Sequence, residues 1–344
     1  MGTTSELERT AREMLADGRG LLAADESTGT ITKRFDAHGI ESTEENRRRY
    51  RELLFTTGGI EHDLGGIILY DETVRQSTSE GTPMVSLLGQ RGIVPGIKVD
   101  KGAKDLAGFP GEKVTEGLDG LRERFGEYRE LGLRFAKWRT VTDVDDERPT
   151  PTGIHVNAHV QARYAALAQE AGLVPIVEPE SIMDGDHGID RSAEVTEAVL
   201  QAVFDQLLRQ RVALEGVVLK TNMVVSGYAG SDQAGPDEVA ERTLQVLHRV
   251  VPPAVPGIVF LSGGQDDAQA TANLDAIQRA GAQPWIVSFS YARALQGQAM
   301  ATWGGNEDDV EAAQRVFRHR TRMTGLANRG QWTPEAEQEH TAGV

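Results

Sequence analysis

The sequence predicts a single (β/α)8 barrel. Three observations carry that prediction. Apolar, β-branched runs alternate with helical patterns about eight times, and such alternation implies a parallel sheet. The eight units fill about 290 of the 344 residues, which suits one closed barrel better than an open doubly wound sheet. No Gly-x-Gly-x-x-Gly follows the first strand and no Walker A pattern occurs, so nucleotide-binding sheets lose ground. No linker divides residues 1–330, and residues 331–344 read as a polar tail.

The elements follow in order. Residues 5–17 read as a helix, and 20–26 as a short apolar strand ending in acid. Ser27 to Thr30 read as a turn suited to phosphate. Ser42-Thr-Glu-Glu45 fits a capping box and starts a helix that runs to about Phe55. Strands are expected at 65–71, 94–100, 134–141, 174–180, 216–224, 257–264 and 285–290. Helices are expected at 114–131, from about 152 to 171, at 190–213, from Pro236 to the Pro252-Pro253 pair, from about 266 to 281, and at 306–327. Pro236, with acids behind it, is a helix-start signal.

Composition narrows the function. A net charge of −16 argues against nucleic acid as the partner. The chain has no Cys, so disulfides, thiolate nucleophiles and cysteine metal sites are excluded. The first residues lack the apolar stretch of a signal peptide, and no apolar run nears the roughly 18 residues of a membrane span. The expectation is a cytoplasmic protein with no membrane partner.

In a barrel the functional groups gather at the C-terminal ends of the strands. Those ends read Asp25, Asp71, Lys98, Lys137 with Arg139, Glu178 with Glu180, Lys220, Ser262 with Gly263 and Gly264, and Ser290 with Arg293. Positions 137 and 139 share one face of their strand, as do 178 and 180. Lysine is scarce: seven of the 36 basic residues are Lys and the other 29 are Arg. Arg cannot lose its proton, so it cannot form a Schiff base; a strand-end Lys can. Read alone, Lys220 is an ordinary strand-end lysine reaching to solvent, and the other strand ends reverse that reading. With a second lysine in the same mouth, each is expected to depress the other's pKa. Carboxylates nearby suit proton transfer. Arg, Lys and Gly-Gly backbone N–H groups suit phosphate oxygens. The pocket therefore calls for a small anionic substrate.

Seven motifs give this chain a resemblance. They are Leu-Ala-Ala-Asp-Glu-Ser-Thr-Gly at 22–29, Thr-Glu-Glu-Asn-Arg-Arg at 43–48, Pro-Gly-Ile-Lys-Val-Asp-Lys-Gly at 95–102, Phe-Ala-Lys-Trp-Arg at 135–139, Ile-Val-Glu-Pro-Glu at 176–180, Phe-Leu-Ser-Gly-Gly-Gln at 260–265 and Ser-Tyr-Ala-Arg-Ala-Leu-Gln at 290–296. From about residue 10 to 334 the chain resembles class I fructose-bisphosphate aldolase of the animal and plant type. The resemblance implies a Schiff base between Lys220 and a phosphorylated ketose, with no metal and no cofactor. It implies that Glu178 forms and dehydrates the carbinolamine. Asp25 would take the C4 hydroxyl proton, and Lys137 would stabilise charge. Ser262, Gly263, Gly264, Ser290 and Arg293 would hold one phosphate. Lys98, Arg139, Ser27, Thr30 and Arg34 would serve the other phosphate or the sugar hydroxyls. A homotetramer working in glycolysis and gluconeogenesis is also implied.

Three departures from the family pattern stand out. Thr221 replaces a Pro after the nucleophile and is expected to loosen the backbone there. Ala292 replaces a Gly, which matters if the position needs positive φ. Residues 335–344 contain no aromatic residue, where many members end in a Tyr that assists the enamine proton step.

Other readings carry less. His155 and His159 are spaced for one helix face, but no third metal ligand lies nearby in the sequence. The acidic loop Asp143 to Glu147 lacks the full calcium-loop pattern. A non-catalytic barrel, or another Schiff-base aldolase or transaldolase acting on sugar phosphates, are the competing functions.

Overall fold

The computed structural model describes residues 4–338. Eight strands close a parallel barrel in chain order. They are β1 (Gly20–Ala24), β2 (Leu64–Leu69), β3 (Val94–Lys98), β4 (Phe135–Asp143), β5 (Val174–Ile182), β6 (Val218–Thr221), β7 (Gly257–Phe260) and β8 (Ile286–Tyr291). Each pairs with the next, and β8 closes on β1 through Leu21 opposite Ser290. The apolar runs form strands because both faces are covered: every residue of β1 and β2 is buried.

The barrel interior has an apolar floor. The helix Thr4–Leu15 turns Leu7, Ala11, Met14 and Leu15 inward. They pack with Leu21, Ile68, Val94, Phe135, Val174, Val218 and Val259. Two glycines admit that helix against the strand starts. A Cβ on Gly65 would lie 2.1 Å from the Met14 carbonyl oxygen, and one on Gly257 would lie 2.3 Å from Leu15. Higher up, the Phe135 ring fills the centre: a Cβ on Gly96 would sit 2.2 Å from it. Strand alternation then puts Lys137 and Arg139 above Phe135 on the inner face, and Glu178 and Glu180 above Val174 and Ile176.

The structure departs from the sequence reading at several elements. The strand expected at 216–224 ends at Thr221. Beyond it side chains replace the ladder: Ser181 N–H donates to Asn222 Oδ1 at 3.1 Å, and Val224 N–H to Thr243 Oγ1 at 2.9 Å. The helix expected at 114–131 runs only from Leu121 to Glu130. Gly117 and Gly120 take φ of 128° and 67°, which break any helix there. Residues 113–115, the last two of them inside the expected helix, instead pair with 103–105 as a hairpin. Thr43, not Ser42, caps the helix Glu44–Thr56, its hydroxyl accepting from Asn46 N–H at 3.1 Å. Ser27 caps a helix, Thr28–Asp36, where a turn was expected. A further helix, Arg293–Trp303, follows β8 directly.

Residues 331–338 dock on the barrel's outer helices. Trp332 N–H donates to Asp275 at 3.0 Å, its indole N–H donates to Glu337 at 2.9 Å, and Glu337 pairs with buried Arg320. Residues 339–344 of the expected tail lie outside the described residues.

The central position of Phe135 gives a stability prediction. Phe135→Ala removes a fully buried ring that two glycine-bearing strands leave room for, and is expected to destabilise the fold by about 3–5 kcal/mol. Urea or thermal denaturation monitored by circular dichroism reads this directly. A loss below about 1 kcal/mol would show that the interior repacks without the ring.

Candidate active site

A cavity of about 320 Å³ opens at the C-terminal ends of the strands. It falls within the roughly 300–1,000 Å³ common for small-molecule sites. Lys220, Glu178, Asp25 and Lys137 line its base, and every phosphate-site candidate from Ser27 to Arg293 lines its wall. Asp71 does not. It starts a one-turn helix and is bound by Arg75 and by the Tyr128 hydroxyl, each at 3.0 Å.

The base is a quartet of buried charges. Lys137 Nζ lies 2.7 Å from Asp25 Oδ2 and 2.9 Å from Glu178 Oε2. Lys220 Nζ lies 2.9 Å from the other Glu178 oxygen, Oε1. Lys220 and Glu178 are 3% exposed, Lys137 4% and Asp25 8%. Glu178 thus bridges the two lysines.

That bridge corrects, for Lys137, the expectation that a neighbouring lysine lowers its pKa. Burial pushes the Lys137 ammonium down, but Asp25, Glu178 and Asp100 outweigh it and hold its pKa above the ordinary lysine range. Burial likewise pushes Asp25 up, yet Lys137, Lys220 and Lys98 together hold it well below the usual carboxylate range. Glu178 is also lowered: Lys137, Lys220 and Arg139 overcome its burial and the repulsion from Asp25.

Three cations on the rim each carry a carboxylate partner. Arg139 pairs with Glu180. Lys98 lies 3.3 Å from Asp100, which also accepts from Arg139 N–H at 3.3 Å. Arg34 pairs with Glu26, whose second oxygen takes buried Arg51 at 2.6 Å. Gln296 Nε2 donates to Glu26 at 2.7 Å as well. Ser27 Oγ and Thr30 Oγ1 lie 3.1 Å apart at the start of helix Thr28–Asp36.

The opposite end is built differently. Gly263 and Gly264 follow β7 with φ of 58° and 93°, a backbone that other residues rarely adopt. Among the described residues, neither of their N–H groups donates to a backbone carbonyl. Ser290 Oγ is buried with no protein partner. Arg293 opens the helix Arg293–Trp303 and forms no ion pair among the described residues. Ala292, just before it, has φ of −109°, so the position accepts an alanine. Thr221 does not loosen the backbone beside Lys220. It stays in the ladder opposite Phe260, and its carbonyl accepts from Leu261 N–H at 2.9 Å.

Sequence reasoning missed part of the wall. Glu26 adjoins Asp25 but lies on the other side of the strand end, so alternation gave it no inward role. Met183 and Asp184 line the cavity from the irregular loop after β5, where no periodicity exists to reveal them. The His155 and His159 rings stack at 6.4 Å, and His159 bonds Gln206. Among the described residues no group of three metal-ligating side chains forms.

The comparisons with known proteins agree with this geometry. A family model described as fructose-bisphosphate aldolase class-I matches residues 6–343. A probable fructose-bisphosphate aldolase class 1 of Xanthomonas campestris is 53% identical over 328 residues, covering 95% of this chain and 98% of that protein. The fructose-bisphosphate aldolase of Dictyostelium discoideum is 50% identical, covering 96% and 93%. A solved aldolase of Plasmodium falciparum, crystallised with TRAP and a small-molecule inhibitor, superposes with a TM-score of 0.94 at 47% identity, covering 96% of each chain. The chain therefore belongs to the class I fructose-bisphosphate aldolase family.

Proposed function

We propose that this aldolase cleaves fructose 1,6-bisphosphate reversibly through a Schiff base on Lys220. The observation that supports this most is the bridging of Lys220 and Lys137 by one carboxylate, Glu178. Lys220 becomes a nucleophile only after losing a proton, and Glu178 lies within hydrogen-bond reach to take it.

The proposed steps are these. The Lys220 amine adds to the C2 ketone, giving a carbinolamine. Glu178 returns its proton to the departing hydroxyl, which leaves as water, and an iminium remains. The iminium then draws the C3–C4 bonding electrons. That bond breaks as Asp25 takes the C4 hydroxyl proton, and glyceraldehyde 3-phosphate leaves. Protonation of the resulting enamine at C3 and hydrolysis of the imine release dihydroxyacetone phosphate. Lys137 stays cationic through this sequence, because Asp25 and Glu178 hold its proton against burial. It is a fixed positive charge beside both proton-transfer groups, which suits charge stabilisation in a water-poor site.

The two ends of the cavity suit two phosphates. One is the Gly263-Gly264 turn with Ser290, Arg293 and the N-terminus of helix Arg293–Trp303. Backbone donors, a helix start and an unpaired guanidinium all favour an anion. The other is formed by Ser27, Thr30, Arg34, Lys98 and Arg139. We assign the chain to glycolysis and gluconeogenesis as a homotetramer in the cytoplasm. No helix among the described residues is long and apolar enough to cross a membrane. Both cytosolic and chloroplastic relatives are known, at 48% identity each.

Three outcomes test the mechanism. Borohydride added with dihydroxyacetone phosphate should fix a covalent adduct on Lys220, seen by peptide mass spectrometry, and Lys220→Met should abolish both adduct and turnover. An active enzyme without any adduct would rule out the imine. Glu178→Gln should lower kcat by about 10²–10⁴-fold, the usual worth of a proton-transfer group, while phosphate still binds. Finally, cleavage assayed after prolonged EDTA treatment should match the untreated rate, whereas inactivation restored by zinc would place a metal in the reaction.

A further inference from the structure

We infer that Tyr228 is a positioning residue for the phosphate turn, tying the loops after β5, β6 and β7 into one rigid unit. The inference rests on the reading that Gly263, Gly264 and Arg293 hold a substrate phosphate. Tyr228 lies in the irregular segment after β6. Its hydroxyl donates to the Gly263 carbonyl oxygen at 2.8 Å. Its ring backs Gly264: a Cβ there would lie 3.0 Å from the ring and 3.5 Å from the Arg293 guanidinium. Gly264 is thus held between Tyr228 and Arg293.

Tyr228 is itself fixed. Its N–H donates to the Met183 carbonyl at 2.8 Å, and Met183 lines the cavity from the loop after β5. On either side, Gly227 N–H donates to His187 at 2.8 Å and Ala229 N–H to Gly185 at 3.0 Å. The two loops approach so closely that a Cβ on Gly227 would lie 2.2 Å from the Gly185 carbonyl oxygen. Three backbone bonds therefore anchor the phenol before it reaches the turn. Burial, with Asp184 nearby, pushes the phenol up to about 12, so the hydroxyl remains a donor across the working range.

A peptide at positive φ has few native contacts of its own to fix it. Pinning the Gly263 carbonyl fixes the peptide plane that also carries the Gly264 N–H. Releasing it lets that N–H turn away from the anion. The effect falls on phosphate binding and leaves the chemistry at Lys220 untouched.

The test is Tyr228→Phe in the full-length enzyme, which keeps the ring and removes only the hydroxyl. The expected result is a rise of about three- to tenfold in KM for fructose 1,6-bisphosphate and in the inhibition constant of inorganic phosphate, as for one lost hydrogen bond. The kcat should stay within about twofold, and the melting temperature should be unchanged. Tyr228→Leu, which also removes the backing of Gly264, should raise both constants further. If phosphate inhibits the parent enzyme and Tyr228→Phe equally, the proposal is wrong while the phosphate reading stands. If kcat falls with both binding constants unchanged, Tyr228 acts on the chemistry and the proposal is likewise wrong. If phosphate does not inhibit the parent enzyme at all, the phosphate reading and this proposal fall together.

Discussion

Glu178 is the constraint on which the site depends. Taking an ammonium out of water is unfavourable unless it is paired. Two lysines sit within the top of this barrel at 3% and 4% exposure, and one carboxylate contacts both. Asp25 supplies the remaining negative charge, so the quartet is neutral as a whole. Breaking such a set by removing one member leaves an uncompensated charge at a cost of about 3–5 kcal/mol. The quartet therefore fixes its own side-chain positions, and the Phe135 floor beneath it keeps water from entering below. That rigidity suits the proposed catalysis, in which Glu178 takes the Lys220 proton across 2.9 Å.

The rim shows a second division of labour. Arg34, Arg139 and Lys98 are each held by a carboxylate, respectively Glu26, Glu180 and Asp100. Arg293 has no such partner among the described residues and stands beside backbone donors at a helix start. A phosphate bound at the Arg293 end, as proposed, would meet a guanidinium with no ion-pair partner among the described residues. At the other end it must compete with carboxylates already in place. If both ends bind phosphate as proposed, they differ in how far neighbouring carboxylates offset their cations.

Much of this was legible in the sequence, for physical reasons. Strands buried on both faces read as apolar runs, and the period of two put 137 with 139 and 178 with 180 on the inner face. The Gly263-Gly264 pair was legible as a source of exposed backbone N–H groups at a strand end, but its positive φ was not. The pKa pattern was not legible. Sequence counts two lysines in one mouth and predicts mutual repulsion. The structure interposes Glu178, and attraction wins for Lys137. Glu26 and Tyr228 were hidden for another reason. Each acts through a hydrogen bond across loops far apart in sequence, and no local pattern encodes such contacts. The short β6 was misjudged because Asn222 and Thr243 side chains substitute for backbone partners, leaving an apolar run that is not a strand.

The distribution of lysine and arginine carries the argument one step further. Of the seven lysines, Lys98, Lys137 and Lys220 line the cavity. Lys33, Lys101 and Lys104 are exposed, and Lys113 pairs with Asp105 at the surface. Arginine supplies most of the other basic positions, including Arg34, Arg139 and Arg293 in the wall of the same cavity. Lysine persists at the base because a compact ammonium fits between two carboxylates and because only an amine can form a bond to carbon. Lys137 and Lys220 share Glu178 but differ in one respect. Lys137 also contacts Asp25, so two carboxylates hold its proton, whereas Lys220 contacts Glu178 alone among the charged pairs formed. The two lysines therefore occupy different settings: Lys137 is held between two carboxylates, and Lys220, the proposed nucleophile, meets one.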